Sequence, residues 1–392
     1  MLTVGLVSVD PDRKWIGGRY YLQHLVRAVA ALPEEERVAF ADVWWMAAPD
    51  DDPFEEVQDL IARRAIVAPP AGLLGRAVRK IRRTLRRSRD ARDLFEGIDV
   101  LFPILPAASP GVPLVFWMPD FQPWRMPELF SDDLRKWYET YYLANGAAAA
   151  RIVVSSADGL RDLRAYFPHF EAKARVLHFC SVPTGEWWEK DPATVGHDYA
   201  LPEAFFLLAN QFSHHKNHLA VFEAMRILRE RGVLAVVACT GSTYGFRGND
   251  YLERVRAFLD RHNLGDAVRI LDLIPRADQV ALMRRSIAIL QPSRFEGWST
   301  VVEDAKTLGK PIVVSDIAVH REQAPPRATF VPADDADAWA DAMEALWRTR
   351  PPGPHLEEES EGRRAVAQAQ LETGRTFVSI IREAHRDGGS GR

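Results

Sequence analysis

The sequence has few cysteines, no long apolar run and no large excess of either charge. Its 2 cysteines, Cys180 and Cys239, are too few for a disulfide framework and favour a reducing compartment. The formal net charge of −4 gives no reason to expect a nucleic acid partner. No apolar run reaches the ~20 residues that a membrane-spanning helix needs. The first nine residues have no basic segment and predict a strand rather than a signal peptide.

The composition is that of a globular protein. Hydrophobic residues make up 47% and charged residues 27% of the 392 residues, which is enough chain for two domains. Short apolar runs alternate with amphipathic helical patterns along the whole chain, which predicts a doubly wound α/β fold in both halves. Residues 183–203 are rich in proline, glycine and mixed charge, which predicts a linker between the domains.

The most informative stretch runs from residue 291 to residue 311. Apolar runs at 287–290 and 311–315 flank it and predict two short buried strands. Between them, residues 299–308 form a helical pattern that Gly309 and Pro311 close. The stretch therefore predicts a strand, a loop, a helix and a second strand.

Within this unit, the loop and the helix start carry groups that suit a nucleotide sugar. Glu296 is followed by Gly297, which allows close approach of the backbone to a ligand. The helix start at 299–300 has free N–H groups and the positive end of the helix dipole, which favour a phosphate. Glu303 and Asp304 then follow within the helix. A carboxylate, an anion-binding helix end and a second carboxylate suit a sugar, a diphosphate and a ribose diol, in that order.

This stretch resembles the E-x7-E region of retaining GT-B glycosyltransferases of the family 4 class (glycosyl transferases group 1). Glu296 takes the place of the first acid, and alignment on Ala305 puts Asp304 at the second, with Glu303 one residue early. A helical step of about 100° separates the two side chains, so only one of them is expected to face the donor, and the register favours Asp304. The alternative is an acidic helix start that the dipole alone favours.

Two further loops fit the resemblance in part. The family has Arg-x4-Lys after the first strand of its second domain, where both basic groups bind the donor diphosphate. Lys216 matches the lysine, whereas Gln211 replaces the arginine, and His214 or His215 is a candidate for the missing charge. A metal site at these histidines lacks a third ligand at suitable spacing. In the first half, Asp120 matches the acid of a His-Asp pair, but proline precedes it.

The resemblance implies an α/β GT-B fold with two Rossmann-like domains that face each other across a cleft. The expected domains are 1–185 on the acceptor side and 200–365 on the nucleotide-sugar side, with a C-terminal helix at 366–386 that returns to the first domain. The implied catalytic residues are Glu296, Lys216 and Asp120. The implied donor site, which needs no metal or cofactor, consists of Gly17, Gly18, Gln211, Lys216, Gly241, Ile274, Glu296, Gly297, Trp298, Ser299, Thr300, Glu303 and Asp304.

The implied activity is transfer of a hexose from a nucleotide-diphosphate sugar to a hydroxyl of a glycan, a lipid-linked acceptor or a small molecule, with retention of configuration. An inactive scaffold or nucleotide-sugar binding protein is the alternative, because Gln211, Asp304 and the proline at 119 depart from the family pattern. A nucleotide-sugar epimerase with His320 or Asp120 as its base is a third hypothesis.

A cytoplasmic location is expected, with peripheral contact to the inner face of the membrane as one of two interpretations. Residues 73–92 combine an apolar stripe with many arginines, a pattern that suits an anionic membrane surface. A solvated helix docked on its own domain through the same stripe is the alternative.

Overall fold

The computed structural model describes residues 1–7, 16–45, 54–67, 95–104, 111–243 and 250–389. The chain divides into two compact units: unit 1 comprises Met1–Phe179 and Ala369–Arg392, and unit 2 comprises Cys180–Gln368. The basic segment 73–92 lies outside the described residues. Within the described ranges, no helix combines the length and the apolar composition that crossing a membrane requires.

Strands and helices alternate along the described chain, as the sequence predicts. The strands are β1 (Thr3–Val7), β2 (Ala39–Trp45), β3 (Arg63–Val67), β4 (Val100–Phe102), β5 (Val115–Met118), β6 (Arg151–Val154), β7 (Ala174–Val176), β8 (Phe206–Ala209), β9 (Val237–Thr240), β10 (Val268–Ile270), β11 (Ile289–Gln291), β12 (Ile312–Ser315) and β13 (Ala328–Val331). The α-helices are α1 (Ile16–Ala30), α2 (Gln122–Arg125), α3 (Asp132–Ala148), α4 (Ala157–Tyr166), α5 (Glu186–Glu189), α6 (Pro192–Asp198), α7 (His218–Glu230), α8 (Asp250–Arg261), α9 (Arg276–Arg285), α10 (Thr300–Thr307), α11 (Ala318–Gln323), α12 (Ala336–Thr349) and α13 (Leu356–Gly389). Short 3-10 helices span Glu34–Glu36, Glu55–Leu60, Pro127–Leu129, Pro168–Lys173 and His214–Lys216.

Unit 1 is built on parallel strands in the orders β3-β2-β1-β4 and β5-β6-β7. A parallel bridge between Leu101 and Leu114 lies where the two sheets adjoin. The C-terminal part of α13 packs on this unit, where the Phe377 ring lies 5.2 Å from the Phe102 ring between centroids. Glu383 of the same helix forms ion pairs with Arg151 and Arg175.

Unit 2 contains a parallel sheet in the order β10-β9-β8-β11-β12-β13. Relative to its own chain order this is 3-2-1-4-5-6, the doubly wound arrangement of dinucleotide-binding domains. The connections reverse direction between β8 and β11, and ligands of such sheets bind outside the carboxyl ends of the strands at that reversal. The loops that leave β8 and β11 are therefore where topology places a ligand site.

Two segments differ from the sequence prediction because side-chain packing orders them. Residues 183–203, predicted as a linker, contain α5 and α6, and α6 begins at an Asp191 side chain that accepts a hydrogen bond from the Thr194 amide. Residues 356–365 precede the C-terminal helix predicted at 366–386, but the structure includes them in α13, which begins at Leu356. Its acidic first turn is favoured by the helix dipole, and Glu359 forms a buried ion pair with Arg284 at 2.9 Å.

Lys310 is buried between α10 and β12. Its side chain is among the buried polar groups of the structure, and Nζ donates a hydrogen bond to the Arg284 carbonyl at 3.0 Å. Burial, and then the neighbouring Arg350 charge, lowers the pKa of Lys310 to about 7. The folded protein therefore holds this lysine in its neutral form over a pH range in which the unfolded chain is protonated.

The first prediction concerns the pH dependence of stability. Between about pH 7 and the unfolded pKa of Lys310, the unfolded state binds more protons, so this group makes the free energy of unfolding rise with pH. The limit for one proton is about 1.4 kcal/mol per pH unit. Urea unfolding of wild type and Lys310→Met from pH 6.5 to 9.5 should show that the substitution removes this rise. Lys306→Met, at a partly exposed lysine, is the control and should keep it. Parallel curves for wild type and Lys310→Met would contradict the prediction.

Candidate functional site

Two loops meet at the carboxyl edge of the unit 2 sheet, where the strand order reverses. One follows β8 and contains Lys216, and the other follows β11 and contains Glu296. The backbone N–H of Arg294 in the second loop donates to the His215 carbonyl of the first at 2.8 Å. This hydrogen bond holds the two loops side by side.

The predicted site residues Lys216 and Glu296 form an ion pair. Lys216 Nζ lies 2.6 Å from Glu296 Oε1, and the two side chains are 16% and 8% exposed. The chain turns after Lys216 at Asn217, which has a φ of 54° in the left-handed region that asparagine tolerates. The Asn217 side chain donates to the Ala333 carbonyl at 2.7 Å, and this hydrogen bond fixes the turn that follows Lys216.

A buried amide also holds Glu296. Gln291, the last residue of β11, is fully buried, and its Nε2 donates to Glu296 Oε1 at 2.8 Å. Its Oε1 accepts a hydrogen bond from Asn210 Nδ2 at 2.7 Å. Asn210 directly follows β8, so residues at the ends of both central strands support the carboxylate.

The helix start that the sequence predicts as an anion site is α10. Ser299 is its N-cap, and its Oγ accepts from the Val302 amide at 3.4 Å. The Ser299 amide is not available to a ligand because it donates to Gln323 Oε1 at 3.2 Å. Within the described ranges, the N–H groups of Thr300 and Val301 have no acceptor. Of the predicted pair Ser299 and Thr300, only the Thr300 amide remains free for an anion.

The two acids on α10 face different neighbours, as the helical step predicts. Asp304 is 1% exposed and pairs with Arg276 at 2.6 Å, beside the turn that contains Ile274. Glu303 is buried against α11, where its Oε1 accepts from Gln323 Nε2 at 2.9 Å. Burial raises the pKa of Glu303. Asp304 is therefore the acid next to the Ile274 turn.

The other predicted residues of unit 2 lie around this centre. Gly241 has a φ of +130°, and a Cβ there would come within 2.4 Å of the Asn210 carbonyl oxygen, so close backbone packing explains this glycine. Gln211 is exposed, and Gly297 and Trp298 are half-buried in the loop before α10.

The three histidines named in the sequence analysis all have partners. His214 Nε2 lies 3.0 Å from Asp250, and His215 Nδ1 lies 3.1 Å from Ser213 Oγ. His320 is fully buried with Nδ1 at 2.9 Å from the Ser315 carbonyl, and burial lowers the pKa of its imidazole. The ring of His320 therefore has no exposed surface for a sugar, which disfavours it as the base of an epimerase. The described residues include no group of three or more His, Cys, Asp and Glu placed to hold a metal.

Three predicted residues belong to unit 1. A Gly-Gly pair is typical of a turn or loop, but Gly17 and Gly18 lie in the first turn of α1. The helix begins at Ile16, one residue before this pair. Asp120 Oδ1 accepts from the Gln122 amide at 2.9 Å, which is the turn-capping role open to any aspartate in this position.

Four further residues of this site were not predicted from the sequence: Gln291, Asn210, Gln323 and Arg276. A signal was available for the first two, because a polar side chain at the end of an apolar strand lies at the edge where such sheets bind ligands. Gln323 and Arg276 carried no comparable signal, since their contacts depend on how α9 and α11 pack beside α10.

Comparisons with known proteins identify a family match for one part of the chain. Residues 197–361 match the family described as glycosyl transferases group 1, and this range covers most of unit 2. No curated protein matches the chain.

Solved structures match nearly the whole chain at low sequence identity. A glycosyltransferase from Rickettsia africae is 14% identical with a TM-score of 0.63, over 99% of this chain and 98% of its own. Anabaena Alr3699/HepE in complex with UDP and glucose is 15% identical with a TM-score of 0.63, over 97% and 98%. The sucrose-phosphate synthase of Thermosynechococcus elongatus is 18% identical with a TM-score of 0.61, over 100% and 98%.

These matches establish the fold and the domain family. The chain has the α/β fold of GT-B glycosyltransferases, and its residues 197–361 are a glycosyl transferases group 1 domain. The predicted fold class and the predicted resemblance to GT-B glycosyltransferases of group 1 are confirmed, whereas retention of configuration stays a prediction.

The second prediction separates the two acids of α10 by their effect on stability. Asp304→Asn removes the charge from a buried pair with Arg276 and should lower the free energy of unfolding by about 1–3 kcal/mol. Glu303→Gln keeps an acceptor for Gln323 and loses only a one-turn ion pair with the partly exposed Lys306, so its effect should stay within about 1 kcal/mol. Urea unfolding at neutral pH measures both. A larger loss for Glu303→Gln would show that Glu303, not Asp304, is the acid on which this part of the fold depends.

Proposed function

We propose that this protein transfers a hexose from a nucleotide-diphosphate sugar to a hydroxyl group, with retention of configuration. The observation that carries the proposal is the contact between Lys216 and Glu296 at the reversal of the unit 2 sheet. An ammonium, a carboxylate and free helix N–H groups at one sheet edge suit a ligand with a diphosphate and several hydroxyls.

The groups around this ion pair suggest how a nucleotide-sugar donor binds. Lys216 and the amides of Thr300 and Val301 bind the diphosphate, and Glu296 binds sugar hydroxyls. The family register assigns the ribose to Asp304, and because this acid is 1% exposed and paired with Arg276, it would act on the ribose through Arg276 rather than by direct contact. Anabaena HepE, which shares this fold, is described with UDP, with UDP and glucose, and with UDP-glucose.

The chemistry requires stabilisation of a leaving group that gains negative charge. The Lys216 ammonium and the α10 amides are fixed in place and supply it without rearrangement. Glu296 holds the sugar so that the anomeric carbon stays within reach of the acceptor. A bond forms from the acceptor oxygen to that carbon, the bond to the phosphate oxygen breaks, and the acceptor proton passes to the leaving phosphate on the same face. Pro119 precedes Asp120, so no histidine base stands there, and Asp120 orients the acceptor hydroxyl.

The third prediction is that nucleotide sugars bind and react at this site. A thermal-shift screen of UDP-, GDP- and ADP-sugars should raise the Tm with at least one donor. Lys216→Met should lose binding of both the donor and its nucleoside diphosphate, because the ammonium meets the phosphates. Glu296→Gln should keep nucleoside diphosphate binding and lose kcat by about 10²–10³-fold. Lys190→Met is the control, since Lys190 is a lysine of the same unit that is paired with Asp278.

The same reaction tests retention. NMR of the first-formed product should show the anomeric configuration of the donor sugar, and an inverted product would overturn the front-face mechanism. A Tm shift without transfer or hydrolysis of any donor would favour the nucleotide-sugar binding protein. No Tm shift with any nucleotide would favour a scaffold, which the departures at Gln211, Pro119 and Asp304 suggest as the alternative.

We also propose that residues 73–92 bring the protein to an anionic membrane surface on the cytoplasmic side, where a lipid-linked acceptor would lie. The support is the sequence pattern of arginines around the apolar stripe Leu74, Val78, Ile81 and Leu85.

The fourth prediction tests this contact with vesicles. The protein should sediment with vesicles that contain anionic lipid and not with neutral ones. Replacing Arg79, Arg83 and Arg86 with glutamine should weaken this binding by about tenfold or more. Replacing the exposed Arg135, Arg161 and Arg164 is the charge-matched control and should change it little. Equal losses in the two triple variants would show that net charge alone causes the attraction.

A further inference from the structure

We infer that Gln291 is a positioning residue that orients the Glu296 carboxylate so that Oε2 is the oxygen that meets the ligand. The inference rests on the proposed function, in which that ligand is the sugar of a nucleotide-sugar donor. It goes further in naming a buried amide that fixes the geometry of the acid.

The orientation of the Gln291 amide follows from its neighbours. Gln291 is fully buried, and its Nε2 lies 2.8 Å from Glu296 Oε1. A carboxylate only accepts hydrogen bonds, so the NH2 side of Gln291 must face Glu296. Its oxygen then points the other way, where Asn210 Nδ2 donates to it at 2.7 Å. Asn210 and Glu296 together leave Gln291 a single orientation.

The same amide reaches the start of α10. Gln291 Nε2 lies 3.1 Å from Ser299 Oγ and 3.1 Å from Ser293 Oγ. Ser299 is the N-cap of the helix whose Thr300 and Val301 amides are free. One buried side chain therefore links the carboxylate to the anion-binding helix end, which fixes the distance between the two.

The consequence for Glu296 is an asymmetry between its two oxygens. Lys216 and Gln291 both donate to Oε1, at 2.6 Å and 2.8 Å. Among the described residues, none donates to Oε2, and that atom is not buried. Two donors on one oxygen prevent the carboxylate from rotating, so Oε2 is presented as a fixed acceptor. A ligand group that binds it must be a hydrogen-bond donor, as a sugar hydroxyl is.

A purely structural role for Gln291 predicts different behaviour. If its amide only satisfied buried polar groups, its loss would lower stability and weaken every ligand alike. If it acts through Glu296, its loss affects the sugar and leaves the nucleotide part unchanged, and it has no further effect once Glu296 cannot serve as the acid.

The test compares Gln291→Met, which keeps the length of the side chain and removes its donor, with wild type. Calorimetric titration with UDP-glucose and UDP, or with the donor that the screen identifies, should show the Kd of the sugar nucleotide raised about 10- to 100-fold. The Kd of the nucleoside diphosphate should stay within about twofold. In the Glu296→Gln background, Gln291→Met should cause no further loss of kcat/KM.

Two further variants provide a control and a second test. Thr307→Val removes another fully buried hydrogen bond of unit 2, to the Ser181 carbonyl at 2.9 Å, and should not change the ratio of the two Kd values. Asn210→Leu leaves Gln291 in place without its orienting partner and should weaken the sugar nucleotide selectively, by less than Gln291→Met. It serves as the test if Gln291→Met does not fold.

The outcomes separate the two proposals. Equal weakening of UDP and UDP-glucose, or additive losses with Glu296→Gln, would overturn the role of Gln291 while the proposed function stands. If wild type binds no nucleotide sugar, the proposed function fails, and crystal structures without ligand decide the positioning role. The Glu296 carboxylate should then occupy a different rotamer in Gln291→Met and its wild-type rotamer in Thr307→Val. An unchanged carboxylate in Gln291→Met would overturn the inference.

Discussion

The ion pair between Lys216 and Glu296 is the interaction on which the account of this protein depends. Neither side chain is more than 16% exposed. A left-handed turn at Asn217 holds the lysine, and a hydrogen bond from the Gln291 amide holds the acid. The pair brings together two loops that are distant in sequence, at the one place where a doubly wound sheet leaves room for a ligand. A preorganised pair of opposite charges beside free helix amides is what a charged leaving group requires.

The parallel sheet of unit 2 explains the change from apolar to polar residues at the ends of its central strands. β8 and β11 are buried along their length, and the chain becomes polar only at Asn210 and Gln291, where it reaches the ligand edge. A buried amide between a carboxylate and a helix N-cap supplies two N–H donors without adding charge. It therefore avoids the desolvation cost that a second buried ion would bring.

Local sequence patterns predicted much of this fold because the ends of helices depend on residues close in sequence. The bounds of α4 follow from its Ser156 cap and its apolar repeat, and the helix α10 ends where Gly309 adopts a φ of +58° against the Glu358 carbonyl. The placement of Lys216 and Glu296 in one site was predicted from the resemblance, since nothing near either residue specifies the other, and their ion pair was found only in the structure. The use of the Ser299 amide by Gln323 was not predictable, because it depends on the packing of α11 against α10. The start of α13 at Leu356 was missed for the same reason, since a buried partner for Glu359 makes an acidic run helical.

The most direct measurement is a crystal structure of the protein with UDP bound. We predict that the diphosphate lies against the amides of Thr300 and Val301, with Lys216 Nζ in contact with a phosphate oxygen and Gln291 still donating to Glu296. A nucleotide bound elsewhere, with the Lys216–Glu296 pair and the α10 amides untouched, would contradict it.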